Sequence, residues 1–242
     1  MIMVQREFRV PREHRAEFER QSREGLWPAF LHFGAPMVAF GSWGFGGPSD
    51  LFVTHTAYED FRHWEATRAG GAMYQDEAMR AEAQAFLDVY AQRGDLVEAS
   101  EAQLFELFEG VSRPQAFYRH AGQAVVPPPP TFGKGSVISE RTMALDTGAR
   151  EEFIRLTRDV VWPWLESQGG RGIAVGHNLM GASNEITTWF AFRSYAEWHR
   201  CSRPATAHAP QAVVDAYSAR AALVRHQRGR LLVIGTDFGT PV

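Results

Sequence analysis

REHRAEFERQSREGLWPAFLHFGAP, residues 12–36, and DTGAREEFIRLTRDVVWPWLESQGG, residues 146–170, read as one segment written twice. At an offset of 135, Arg15 meets Arg150, Phe18 meets Phe153, and Trp27-Pro28 meets Trp162-Pro163. Beyond the next turn the offset becomes 134, where Gly47 meets Gly181, Tyr58 meets Phe192, Phe61 meets Tyr195 and Trp64 meets Trp198. LDVYAQRGDLVEASEAQLFEL (87–107) then lies over VDAYSARAALVRHQRGRLLVI (214–234) without a gap. Matching blocks in one order are the signature of a repeated unit. They divide the chain into copy one (1–111), a Pro/Gly-rich linker (112–136) carrying four consecutive prolines, and copy two (137–242). The prolines favour an extended spacer, and the flanking glycines are expected to loosen its ends.

Each copy reads β-α-β-β-α-β. The alternating first strands are MVQREFRV (3–10) and VISERTMAL (137–145). An amphipathic helix follows; in copy two Phe153, Thr157, Val160, Val161 and Trp164 share one face. At roughly 100° per residue, Trp162 falls opposite that face. PMVAFGSW (36–43) and GIAVGHN (172–178) precede glycine-rich turns and the third strands, LFVTHTAY (51–58) and EITTWFAF (185–192). Ser194 with Glu197, and Asp60 in copy one, cap the next helix. QLFELF (103–108) and RLLVIG (230–235) close the units. This is the ferredoxin-like order, an α+β class. Such an antiparallel sheet covers one face with its helices and leaves the other bare, so two copies in one chain should join as a pseudo-dimeric α/β barrel.

The run SERTMALDTGAREEFIRLTRDVVWPWLESQGG, with the hairpins GGPSDLFVTHTAYED (46–60) and MGASNEITTWFAFRS (180–194), resembles NIPSNAP-type domains. Ala182 stands where the family hairpin has proline, and Asp50 where it has asparagine. The resemblance implies the dimeric α/β-barrel superfamily. It brings no shared catalytic set to carry over.

Composition excludes several partners. A formal net charge of −3 with scattered Lys and Arg lacks the basic footprint that nucleic acid requires. No apolar run approaches the roughly 18 residues of a membrane span. The N-terminal residues show no secretory pattern, and the single cysteine, Cys201, cannot form an internal disulfide, which together suggest the cytoplasm. Phosphate-cradling loops, metal-ligand spacings and nucleophile elbows are absent, so no cofactor or metal is implied. A homodimer is compatible with the sequence.

Asymmetry between copies supplies candidate site residues. Arg6 and Arg141 take equivalent positions on otherwise apolar strand faces, which calls for a salt bridge or a bound anion or carbonyl. His177 shares a face with Ile173 and Val175 while Ser42 stands opposite, and is a candidate acid/base. His55 is replaced by Trp189 in copy two, the counterpart of Trp43 is Asn178, and that of Trp164 is Ala29. The expectation is a cofactor-free enzyme for a small apolar or aromatic metabolite, performing oxygenation, cyclisation or isomerisation. Here His177 and Arg141 are catalytic, and Trp164, Trp189, Trp43, His55 and Arg6 bind substrate. A haem-binding tandem barrel and a non-catalytic scaffold are the alternatives; a Soret band with added haemin would favour the first, and a barrel without a cavity the second.

Overall fold

The computed structural model describes residues 1–35, 37–114 and 132–236. The first half contains β1 (Ile2–Arg9), α1 (Arg15–Gln21), α2 (Trp27–His32), β2 (Met37–Phe45), β3 (Leu51–Tyr58), α3 (Phe61–Ala66), α4 (Ala72–Gln75), α5 (Arg80–Gly94) and β4 (Ala99–Leu107). The second contains β5 (Val137–Leu145), α6 (Arg150–Leu156), α7 (Trp162–Ser167), β6 (Arg171–Asn178), β7 (Glu185–Phe192), α8 (Tyr195–Cys201), α9 (Gln211–Ala222) and β8 (Val224–Ile234). Closing strands β4 and β8 begin earlier than the apolar pattern alone indicates, because most of their early residues are exposed.

All pairings are antiparallel and close a barrel in the order β1-β3-β2-β8-β5-β7-β6-β4. The halves therefore join through their edge strands: β2 pairs with β8, and β4 with β6. Closure removes every free edge, leaving no strand of the barrel open to pairing with another chain. At the first seam Gly41 lies opposite Ile234, and a β-carbon there would collide with the Val233 carbonyl. Helices cover the outer surface. The barrel interior is filled by side chains including Trp43, Phe105, Phe132 and Trp189.

The Trp-Pro repeat has a local cause visible in both halves. A single π-helical turn, Ser22–Leu26 or Thr157–Val161, separates α1 from α2 and α6 from α7. Each following helix carries proline in its first turn, where a missing N–H costs least. The Ser22 and Thr157 hydroxyls donate back to the Phe18 and Phe153 carbonyls at 2.7 and 2.6 Å. A π-turn inserts one residue and rotates the downstream helix back by about 100°. Trp162 therefore lies in the core with Phe153 instead of opposite it. Its ring packs on Gly172 of β6, where a β-carbon would enter the indole. Gly172→Ala is expected to destabilise the fold by about 1–3 kcal/mol through overpacking, read as a lower urea midpoint at unchanged slope.

The helix caps are as expected: Asp60 accepts from His63 N at 2.8 Å, and Ser194 from Glu197 N at 3.2 Å. The Glu197 carboxylate accepts from Arg193 N, one residue before the cap. The linker's four prolines lie outside the described residues, but its ends are not loose. Arg113 N donates to Ile173 O at 2.8 Å, Ser112 Oγ to Val175 O at 2.8 Å, and Phe132 is buried in the barrel.

Candidate functional site

Strand alternation and closure divide the seven candidate residues among four places. Trp43, His55 and Trp189 point into the barrel, Arg6 and Arg141 point outward under the helices, Trp164 sits within the helical layer, and His177 lies at the β4–β6 seam.

The interior group forms a polar network around Glu140. Arg230 Nε and Nη2 donate to Glu140 Oε1 at 2.9 and 2.6 Å, and Trp189 Nε1 donates to Oε2 at 3.0 Å. Arg230 Nη1 reaches Glu7 at 2.7 Å, and its guanidinium lies 3.9 Å from the Trp43 ring centroid. His55 Nε2 sits 2.9 Å from Gln5 Oε1 and 3.8 Å from Glu140 Oε2. Burial alone would raise the Glu140 pKa, but His55 and Arg230 outweigh it and hold the carboxyl below its ordinary range. The two carboxylates, the guanidinium and the imidazole bind one another across strands of both halves. This network ties the barrel together.

The outer face is different. Between β5, β7 and helices α6, α8 and α9 lies a cleft of about 400 Å³. Phe153, Trp162, Phe190, Phe192 and Trp198 make aromatic walls; Arg141, Arg220 and Tyr217 are among the polar groups, with Arg225, paired to Asp146, and His226 at the rim; no Asp or Glu lines it. Among the described residues neither Arg141 nor Arg220 has a salt bridge, so the structural ion pair that Arg141 called for is not found. Arg220 stands over the Phe153 ring at 4.5 Å, with its Nε buried and unpartnered. Burial lowers the Arg141 pKa and brings Arg220 down to about 10. Burial also pushes the Tyr217 phenol up to about 12, against the pull of Arg220 and Arg141. Cys201 lines the same cleft, but burial raises its thiol pKa, the opposite of nucleophile activation.

An equivalent cleft of about 630 Å³ lies in the first half, beneath α2 and α5. Arg6 faces it from the strand position matching Arg141, and Arg93 and Tyr90 match Arg220 and Tyr217. Arg93 donates to Phe18 O at 2.9 Å and lies 3.3 Å from the Phe18 ring centroid; burial lowers its pKa to about 9. Tyr90, Arg93, Tyr217 and Arg220 escape the sequence reading, although YAQR and YSAR align in the repeat.

Arg141 is thus not brought together with His177. The β-bulge at Gly172/Ala174 splits the face expected for His177: Ile173 enters the barrel interior while Val175 packs toward the helices. His177 stacks on Phe108 at 5.7 Å, with Nε2 3.7 Å from Glu106, and lines neither cleft. Trp164 meets Tyr217 edge-on at 6.0 Å behind the cleft, and Trp162 provides the wall instead. Among the described residues no cluster of His, Cys, Asp or Glu could hold a metal ion, and no helix is long and apolar enough to cross a membrane.

Eight antiparallel strands closed from two β-α-β-β-α-β halves, with helices outside, define the dimeric α/β-barrel fold, here within one polypeptide. Neither a family model nor a curated protein sequence matches the chain. Solved structures do. A candidate monooxygenase from Lactobacillus acidophilus NCFM matches with a TM-score of 0.63 at 9% identity, covering 98% of this chain and 96% of its own. An anthrone oxidase-like protein matches at 0.50 and 10% identity, over 96% of this chain and 90% of its own. A NIPSNAP domain protein from Burkholderia xenovorans is 21% identical over 40% of this chain and 92% of its own, with a TM-score of 0.34.

Proposed function

We propose that the second-half cleft binds a small aromatic or enolisable metabolite, and that Arg141 and Arg220 stabilise its phenolate or enolate. The observation that carries this reading is a pair of guanidiniums without counter-ions facing an aromatic-walled cleft that no carboxylate lines. A desolvated, uncompensated cation favours the anionic form of a bound acid, lowering its pKa. Ionising such a substrate is the first step shared by cofactor-free oxygenation, cyclisation and isomerisation, and fixed cations aimed at the developing oxyanion accelerate it. Tyr217, neutral through the physiological range, adds a hydrogen-bond donor. His226, on the exposed rim, is the histidine that lines this cleft and takes the general-base role assigned from sequence to His177. Fold neighbours described as monooxygenase and anthrone oxidase-like proteins suit this chemistry. The matching Arg and Tyr positions of the two clefts support the origin of the halves by tandem duplication.

The test uses 1-naphthol, a neutral phenol in water at pH 7. It is expected to bind as the naphtholate, giving red-shifted absorbance, and Arg220→Met is expected to abolish the shift. Binding without ionisation, or a shift unchanged in Arg220→Met, would overturn the reading.

A further inference from the structure

We infer that the first-half cleft is a second, separate binding site that takes a small aromatic carboxylate, with Arg6, Arg68 and the Tyr58 hydroxyl as its anion receptor. Its volume of about 630 Å³ suits a small organic ligand. Three guanidiniums line it, those of Arg6, Arg68 and Arg93, and none has a salt bridge among the described residues. Glu98 is the one carboxylate of the lining, and it is exposed.

The receptor sits where β1, β3 and the end of α3 converge. Arg68 follows α3, stacks over Trp64 at 4.5 Å from the ring centroid, and keeps its Nε buried without a partner. Tyr58, at the end of β3, is 3% exposed. Burial pushes its phenol up to about 12, against the field of Arg68 and Arg6, so both cations act on the same hydroxyl. A neutral phenol and two guanidiniums lining one cavity offer donors and positive charge, with the Thr67 hydroxyl beside the phenol and no buried carboxylate to compete. Planar guanidinium forks match a carboxylate well. Leu26, Phe30 and Phe86 provide apolar surface for an attached ring.

The second-half cleft lacks this receptor. At the positions of Tyr58, Thr67 and Arg68 it carries Phe192, Cys201 and Ser202, and Phe190 stands at the position of Thr56. The shared Arg and Tyr positions give both clefts affinity for oxyanions, and the differing end gives each its own ligand. The first-half site stands independently of the chemistry proposed for the second.

Calorimetric titration of the full chain with 2-naphthoate tests the assignment. Wild-type protein should bind it, Arg68→Met should weaken binding roughly tenfold or more, and Tyr58→Phe, a near-isosteric change, by a smaller factor. Arg141→Met should leave naphthoate affinity unchanged, and Arg68→Met should leave naphthol binding unchanged. Near-ultraviolet circular dichroism confirms that each variant is folded. The inference is overturned by absence of naphthoate binding, by full affinity in both Arg68→Met and Tyr58→Phe, or by loss in Arg141→Met instead. Tighter binding of 2-naphthyl phosphate would overturn the carboxylate assignment. A negative naphthol result with these outcomes intact would count only against the second-half proposal.

Discussion

Glu140→Leu is expected to destabilise the barrel by about 3–5 kcal/mol, the usual cost of leaving a buried charge without its partner. The leucine strands three groups together: the Arg230 guanidinium loses two donors' worth of acceptor, Trp189 Nε1 loses its acceptor, and His55 loses its neighbouring carboxylate. Glu7 remains on Arg230, so the cation is not wholly unpaired. Glu140→Leu combined with Arg230→Met and Glu7→Gln should recover much of the loss, because removing all three charges also removes their desolvation penalty and leaves no carboxylate stranded. The same carboxyl imposes a pH dependence of definite sign. Its folded pKa lies below the ordinary 4.5, so its stabilisation is complete above that value and disappears as pH falls through the lowered folded value. Denaturation series from about pH 7 to about pH 3 should therefore show a steeper acid decline in wild type than in Glu140→Leu.

Arg141→Met should act on stability and function in opposite directions. Its guanidinium is half-buried, without an ion pair or a hydrogen bond among the described residues, and burial shifts it downward. A methionine of similar length keeps the apolar stem and removes an uncompensated charge, which should stabilise the fold by about 1 kcal/mol or more. The cleft loses one of its two cations without a salt bridge, and ligand ionisation or turnover should fall on the order of 100-fold, as when one oxyanion donor is removed. A thermal melt and the naphthol titration on the same sample measure both effects. Unchanged stability with lost binding would mean that solvent reaches the guanidinium in the free protein; retained binding would remove Arg141 from the site.

The fold is legible in the sequence because it rests on periodicities within single elements. Alternation places β3 and β7 at Leu51–Tyr58 and Glu185–Phe192, and the repeated Trp-Pro marks a helix restart in each half. Alternation also separates Glu140 from Arg141 onto opposite faces. The site is less legible because its geometry arises between elements. Glu140 and Arg230 are 90 residues apart, and only the β5–β8 pairing sets them opposite each other. Which face of each strand lines a cleft depends on barrel closure: the aromatic and histidine asymmetry at Trp43, His55 and Trp189 lies inside, whereas the open space lies outside with Arg6 and Arg141. His177 and Trp162 depart from their expected faces for a related reason. A single extra residue, in a β-bulge or a π-turn, shifts everything after it onto another face, and neither irregularity carries a residue signature as plain as proline.

Joining the two sheets within one polypeptide has a genetic consequence. In a barrel assembled from two identical chains, every substitution appears on both sides, so improving one cleft for a new ligand alters the other equally. Here the codons for Tyr58, Thr67 and Arg68 are distinct from those for Phe192, Cys201 and Ser202, and the seams at β2–β8 and β4–β6 hold the halves in register while their pockets differ. Each cleft can drift or be selected alone, and a substitution on one side leaves the other unchanged.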